Sequence, residues 1–90
     1  MDNKELLSIS RDIWGEERLS AQEICLRMGV VYGDICRFTR DNDDTELHRE
    51  LGNMILSTTR WINDLQFDFE ACIDVAIRCQ RDFVNLRKNK

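Results

Sequence analysis

Proline is absent from the 90 residues, and glycine occurs only four times. So few chain-breaking residues argue against a fold of many short strands joined by tight turns. No uncharged run is long enough for a membrane-spanning helix. The start, MDNKELLSIS, lacks the apolar core of a signal peptide, so the expected location is cytoplasmic. Positive charge is also in short supply: 13 Lys and Arg against 17 Asp and Glu leave a net charge of −4. An acidic chain is poorly suited to the nucleic-acid backbone, which binds cationic surfaces. The cations that cluster near the end (Arg78, Arg81, Arg87, Lys88 and Lys90) read as a solvated helix end.

Histidine is nearly missing too. His48 stands alone in a charged helical turn beside Arg49 and Glu50 and reads as a surface residue. The four cysteines, Cys25, Cys36, Cys72 and Cys79, show no C-x-x-C spacing of a zinc knuckle or redox pair. Each falls within an apolar helical pattern, so they are expected as buried free thiols. No glycine-rich phosphate loop follows a strand, because no convincing strand is present.

What remains is helical periodicity in a composition 42% hydrophobic and 33% charged, typical of one globular domain spanning 1–90. A first segment, roughly 3–14, carries Leu6, Ile9, Ile13 and Trp14 as its apolar stripe. A second begins at Ser20, with Glu23 three residues on as a capping box. Its stripe is Ile24, Met28, Val31, Ile35 and Phe38. The polar run Arg40–Asp44 is a loop, and Asp43 can cap a third helix with Glu46 completing a box-like pair. That helix runs to about Leu65 through Leu47, Leu51, Met54, Thr58, Trp61 and Ile62, and its opposite stripe of Glu46, Glu50, Asn53, Ser57 and Asp64 is polar. Asp68 caps a fourth segment with the stripe Phe69, Cys72, Ile73, Ala76, Phe83 and Val84. Short connections between long helices predict an antiparallel all-α four-helix bundle.

Antiparallel packing across the 40–44 loop could face Asp34 toward Glu50, with Asn53 one turn beyond Glu50. Gly33, beside Asp34, would allow another group to approach that helix closely. Two carboxylates and an amide oxygen are hard ligands suited to magnesium. The plain alternative is a solvated acidic face.

The stretch from Leu19 to Phe83 resembles the MazG-type all-α nucleoside triphosphate pyrophosphohydrolases. The resemblance rests on the Trp14 segment, L-R-M-G-V-V-Y-G-D-I at 26–35, E-L-G-N-M at 50–54 and N-D-L-Q-F-D-F-E-A at 63–71. It implies a bundle completed by dimerisation, with acids of two helices holding magnesium over a triphosphate. The family's E-E-x-G-E falls on Val30 to Asp34 and its E-x-x-D on Glu50 to Asn53. On that alignment Val30 and Val31 replace two glutamates, Asp34 and Glu50 keep their acids, and Asn53 keeps an oxygen without its charge. Ala76 and Gln80 replace a family lysine and asparagine near the phosphates. An eroded set of this kind should hold magnesium weakly through Asp34 and Glu50, if at all.

Three functions compete. The first is a degenerate relative that binds a nucleotide or a protein partner without efficient hydrolysis. The second is a working magnesium-dependent enzyme converting a nucleoside triphosphate to its monophosphate and pyrophosphate, with ligands recruited from Glu23, Glu46 or Asp74. The third is a helical interaction module unrelated to nucleotides. The resemblance implies a homodimer or a dimer of dimers, with Met54, Trp61 and Ile62 between subunits.

Overall fold

The computed structural model describes residues 1–88, so Lys90 of the basic cluster lies outside the described residues. They form four helices and no strand: α1 (Asn3–Trp14), α2 (Ala21–Arg40), α3 (Asp44–Asp64) and α4 (Phe69–Lys88). The boundaries follow from the caps. Asp2 accepts the Glu5 amide at 2.8 Å, and Gly15 ends α1 at a φ of 87°, which a side chain would strain. At α2 the full capping box is present: Ser20 Oγ accepts the Glu23 amide at 3.2 Å, and Glu23 Oε1 accepts the Ser20 amide at 3.1 Å. These bonds, the backbone one foremost, hold the Glu23 carboxyl below its ordinary 4.5. The bonds to the ionised form are therefore complete above that pH and weaken as the pH falls through the lowered value.

Asp43 accepts the Glu46 amide at 3.2 Å, but Glu46 turns to Arg49 rather than back to the cap, so only half of a box forms. Asn42 supplies the left-handed residue of that corner and Gln66 that of the next, at φ of 54° and 63°. Asp68 accepts the Ala71 amide at 2.9 Å and starts α4. All four sequence-expected helices are there.

α2 turns its expected stripe inward through Ile24, Val31 and Ile35, but the facing of the other helices differs from the expectation. α3 is the hub, with α1 and α2 lying along it and α4 touching it less extensively. The buried apolar core is small: Leu19, Ile24, Val31 and Trp61, flanked by Ile35 and Leu65. On α3 the buried residues are Ser57, Thr59, Arg60, Trp61 and Asp64, so the polar stripe faces inward. Leu51, Met54 and Ile55 are exposed. α1 likewise buries Ser10 and leaves Ile9, Ile13 and Trp14 open to solvent. α4 has no buried residue, and Ile73, Val75, Phe83 and Val84 are exposed.

Two further expectations are corrected. Cys25, Cys36 and Cys79 are exposed because they lie off the faces that pack, and Cys72 is half-buried on a helix that has no buried residue. No atom lies within 4 Å of where a Gly33 side chain would begin, so its missing side chain admits no neighbour in this chain.

The contrast between inward and outward faces gives a stability test. Ile24→Ala empties a fully enclosed site and should cost about 2–5 kcal/mol. Leu26→Ala, two residues along the same helix and 74% exposed, should stay within about 0.5 kcal/mol. Urea unfolding of the two variants checks both values.

Candidate functional site

Burying the polar face of α3 requires partners for its charges, and α1 supplies one. Arg11 Nη2 donates to Asp64 Oδ1 at 2.6 Å and to Asn63 Oδ1 at 2.6 Å. The Asp64 side chain is fully inaccessible, and that of Arg11 is 10% exposed. One turn back on α3, Arg60 Nε lies 3.8 Å from Asp64 Oδ2, too far for a hydrogen bond. Both atoms are buried without a hydrogen-bond partner. One carboxylate therefore sits between two guanidiniums, leaving the group one positive charge in excess.

Arg60 instead stacks over the Trp14 ring, its guanidinium carbon 5.3 Å from the centroid. This contact marks the wall of a cleft of about 340 Å³ between α2 and α3. Val30 and Val31 line it from α2, and Asn53, Ser57, Arg60 and Trp61 from α3. Trp14 and Arg27 complete the lining. Asn53 Oδ1 accepts the Ser57 hydroxyl at 3.2 Å.

Of the site expected around Asp34, Glu50 and Asn53, with Val30 and Val31 added by the resemblance, Val30, Val31 and Asn53 line this cleft. Asp34 and Glu50 are not among its lining residues. They follow Val31 and precede Asn53 by three residues, toward the α2–α3 corner. Asp34 pairs with Arg37 at 3.3 Å, and Glu50 is half-buried. Ala76 is exposed on α4, while Gln80 lines a separate open groove with Arg81 and Val84. The proposed substitute ligands are also apart from the cleft: Glu23 is engaged in its capping box, Glu46 pairs with Arg49, and Asp74 is exposed on α4. Among the described residues no three His, Cys, Asp or Glu side chains gather as a metal-binding group.

A magnesium ion does not fit the donor set of this cleft. Its lining offers one amide and one hydroxyl oxygen against two guanidiniums, whereas magnesium is anchored by carboxylates. A cation would meet repulsion there, and an anion would not.

Arg11, Trp14, Arg27, Arg60 and Asp64 were not singled out as site residues from sequence. Arg60 and Asp64 stand four apart, a readable helical ion-pair spacing. The Arg11–Asp64 pair spans 53 positions and leaves no local sign.

Removing the shared carboxylate tests the arrangement. Asp64→Ala strands two nearly buried guanidiniums and should cost about 3–5 kcal/mol, read from the urea midpoint. No known protein family, curated protein or solved structure matches the chain.

Proposed function

We propose that this chain is a degenerate MazG-like protein, in which the cleft between α2 and α3 binds a ligand and efficient metal-dependent hydrolysis has been lost. The observation that carries this reading is the lining of the cleft: two arginines and no carboxylate, around the positions where the resemblance expects metal ligands. Val30 and Val31 make one wall apolar, and Asn53 cannot act as a base. Cleavage between the α and β phosphates needs a metal or an equivalent charge arrangement to hold the oxygens and activate water. Asp34 and Glu50 are the two matching acids, and neither lines the cleft.

Dimerisation belongs to the same reading. The chain exposes 7183 Å², against about 5500 Å² for a compact monomer of 10.7 kDa. Its radius of gyration is 15.5 Å, against about 12 Å for a compact chain of this length. The excess of about 1700 Å² per chain would give an interface of about 3400 Å² in a pair, within the obligate homodimer range. The apolar residues exposed on α3 and α4 are the ones to cover, Met54 and Ile55 on the first and Ile73, Val75 and Ile77 on the second. Trp61 is already buried within its own chain, so it leaves the expected interface set, whereas Met54 and the half-buried Ile62 stay in it.

Two measurements test the proposal. Pyrophosphate release from the standard nucleoside triphosphates, with magnesium present, should run at least about a hundredfold slower than in an intact relative, the order of one lost strong electrostatic contact. Turnover in the ordinary enzyme range of roughly 1–1000 per second, abolished by Glu50→Gln, would establish hydrolysis instead. Sedimentation at micromolar concentration should give a dimer or dimer of dimers, and Ile55→Asp with Val75→Asp should shift it to smaller species. A wild-type monomer at that concentration would overturn the assembly.

A further inference from the structure

We propose that the cleft is a metal-independent site for a phosphate-bearing anion, held by Arg60 from its floor and Arg27 from its rim. The proposal rests on reading the cleft as a binding site that does not hydrolyse, and it names the chemistry of what binds.

The argument begins with charge. Arg11, Asp64 and Arg60 together carry one surplus positive charge, and the carboxylate's close bond goes to Arg11. Arg60 is more than nine-tenths buried, yet its Nε has no acceptor, and no hydrogen bond links its guanidinium to any described residue. Its Nε lies beside the equally unpartnered Asp64 Oδ2, and its two Nη groups, which make no hydrogen bond to a described residue, are left to bond an acceptor from outside. Arg60 lines the cleft, so the cleft is the route by which one can arrive.

Arg27 brings a second guanidinium from the facing helix. Its nearest acid in sequence is Glu23, one turn earlier, whose carboxylate accepts from the Ser20 amide and feels the Arg27 charge without forming a salt bridge to it. No acidic residue lines the cleft, in a chain that carries 17 of them. Two arginines lining one space match a dianion with several oxygens, which is the character of a phosphate group. Asn53 and Ser57 add a polar edge, while Val31 and Trp61, both buried, supply an apolar base. An apolar base strengthens each charge-assisted bond.

The chain carries its own reporter, because both of its tryptophans, Trp14 and Trp61, line this cleft. Tryptophan emission of the full chain is followed as inorganic pyrophosphate is added in excess EDTA, with sodium chloride at matched ionic strength as the control. The expected result is a saturable change, with a Kd of about 1 mM or tighter and no response to chloride. Arg60→Lys keeps the charge but loses the fork, and Arg27→Ala removes the rim cation. Each should weaken binding by about tenfold or more. Should Arg60→Lys fail to fold, the exposed Arg27→Ala carries the test alone. A parallel titration with a nucleoside diphosphate separates the sources: tighter binding than pyrophosphate identifies an organic phosphate, and equal or weaker binding the free anion.

Three outcomes overturn the proposal: no saturable response in EDTA, a response only after magnesium is added, or binding unchanged in Arg27→Ala. A chain that sediments as a dimer and does not hydrolyse, yet gives no anion response, would sink this assignment while leaving the assembly and the loss of hydrolysis standing.

Discussion

The buried carboxylate of Asp64 is the constraint on which the rest of the arrangement depends. It draws Arg11 across from α1 at 2.6 Å and thereby joins two helices more than fifty residues apart in sequence. It also sits beside Arg60, and so fixes which side of α3 faces inward. Once that side is committed to Ser57, Arg60 and Asp64, the geometry of a helix leaves no choice for Leu51, Met54 and Ile55: they point away. The thin apolar core is a consequence of the same commitment. With Ile24, Val31 and Trp61 as its main members, it cannot bury the apolar faces of four helices.

Helix positions were legible in the sequence because their causes are local. Ser20 with Glu23, Asp43 and Asp68 each satisfy orphan amides within one turn, and such caps act through neighbours that a sequence displays directly. Helix facing was legible only on α2, for an equally physical reason. A helix with one apolar and one polar stripe is ordinarily taken to bury the apolar one. That inference fails where a charged partner from another helix compensates the polar stripe, as Arg11 does for Asp64. Hydropathy along α3 records that Met54 and Ile55 avoid water, without recording whether the same chain or another is to cover them.

The cleft was only partly legible. Spacing along α2 and α3 pointed to Asp34, Glu50 and Asn53, of which Asn53 alone lines the cleft; Val30 and Val31, which line it from α2, had entered through the family resemblance. The chemistry of that place came from elsewhere. Trp14 reaches it from α1, and Arg60 enters it from a stripe whose arginine had not been counted. With two guanidiniums and no carboxylate among its lining residues, the space favours an anion over a cation.

The inward polar stripe of α3 also inverts the usual relation between hydropathy and evolutionary freedom. In most small domains the apolar positions resist change and the polar ones drift. Here Ser57, Thr59, Arg60 and Asp64 are tied to the fold of the single chain, whereas Leu51, Met54, Ile55 and Val75 touch little within it. Substitutions at the first group are judged by folding, and those at the second by whatever lies against them. A record of tolerated changes would then separate into two classes by position alone, and in the proposed dimer the apolar class would trace the outline of the subunit contact.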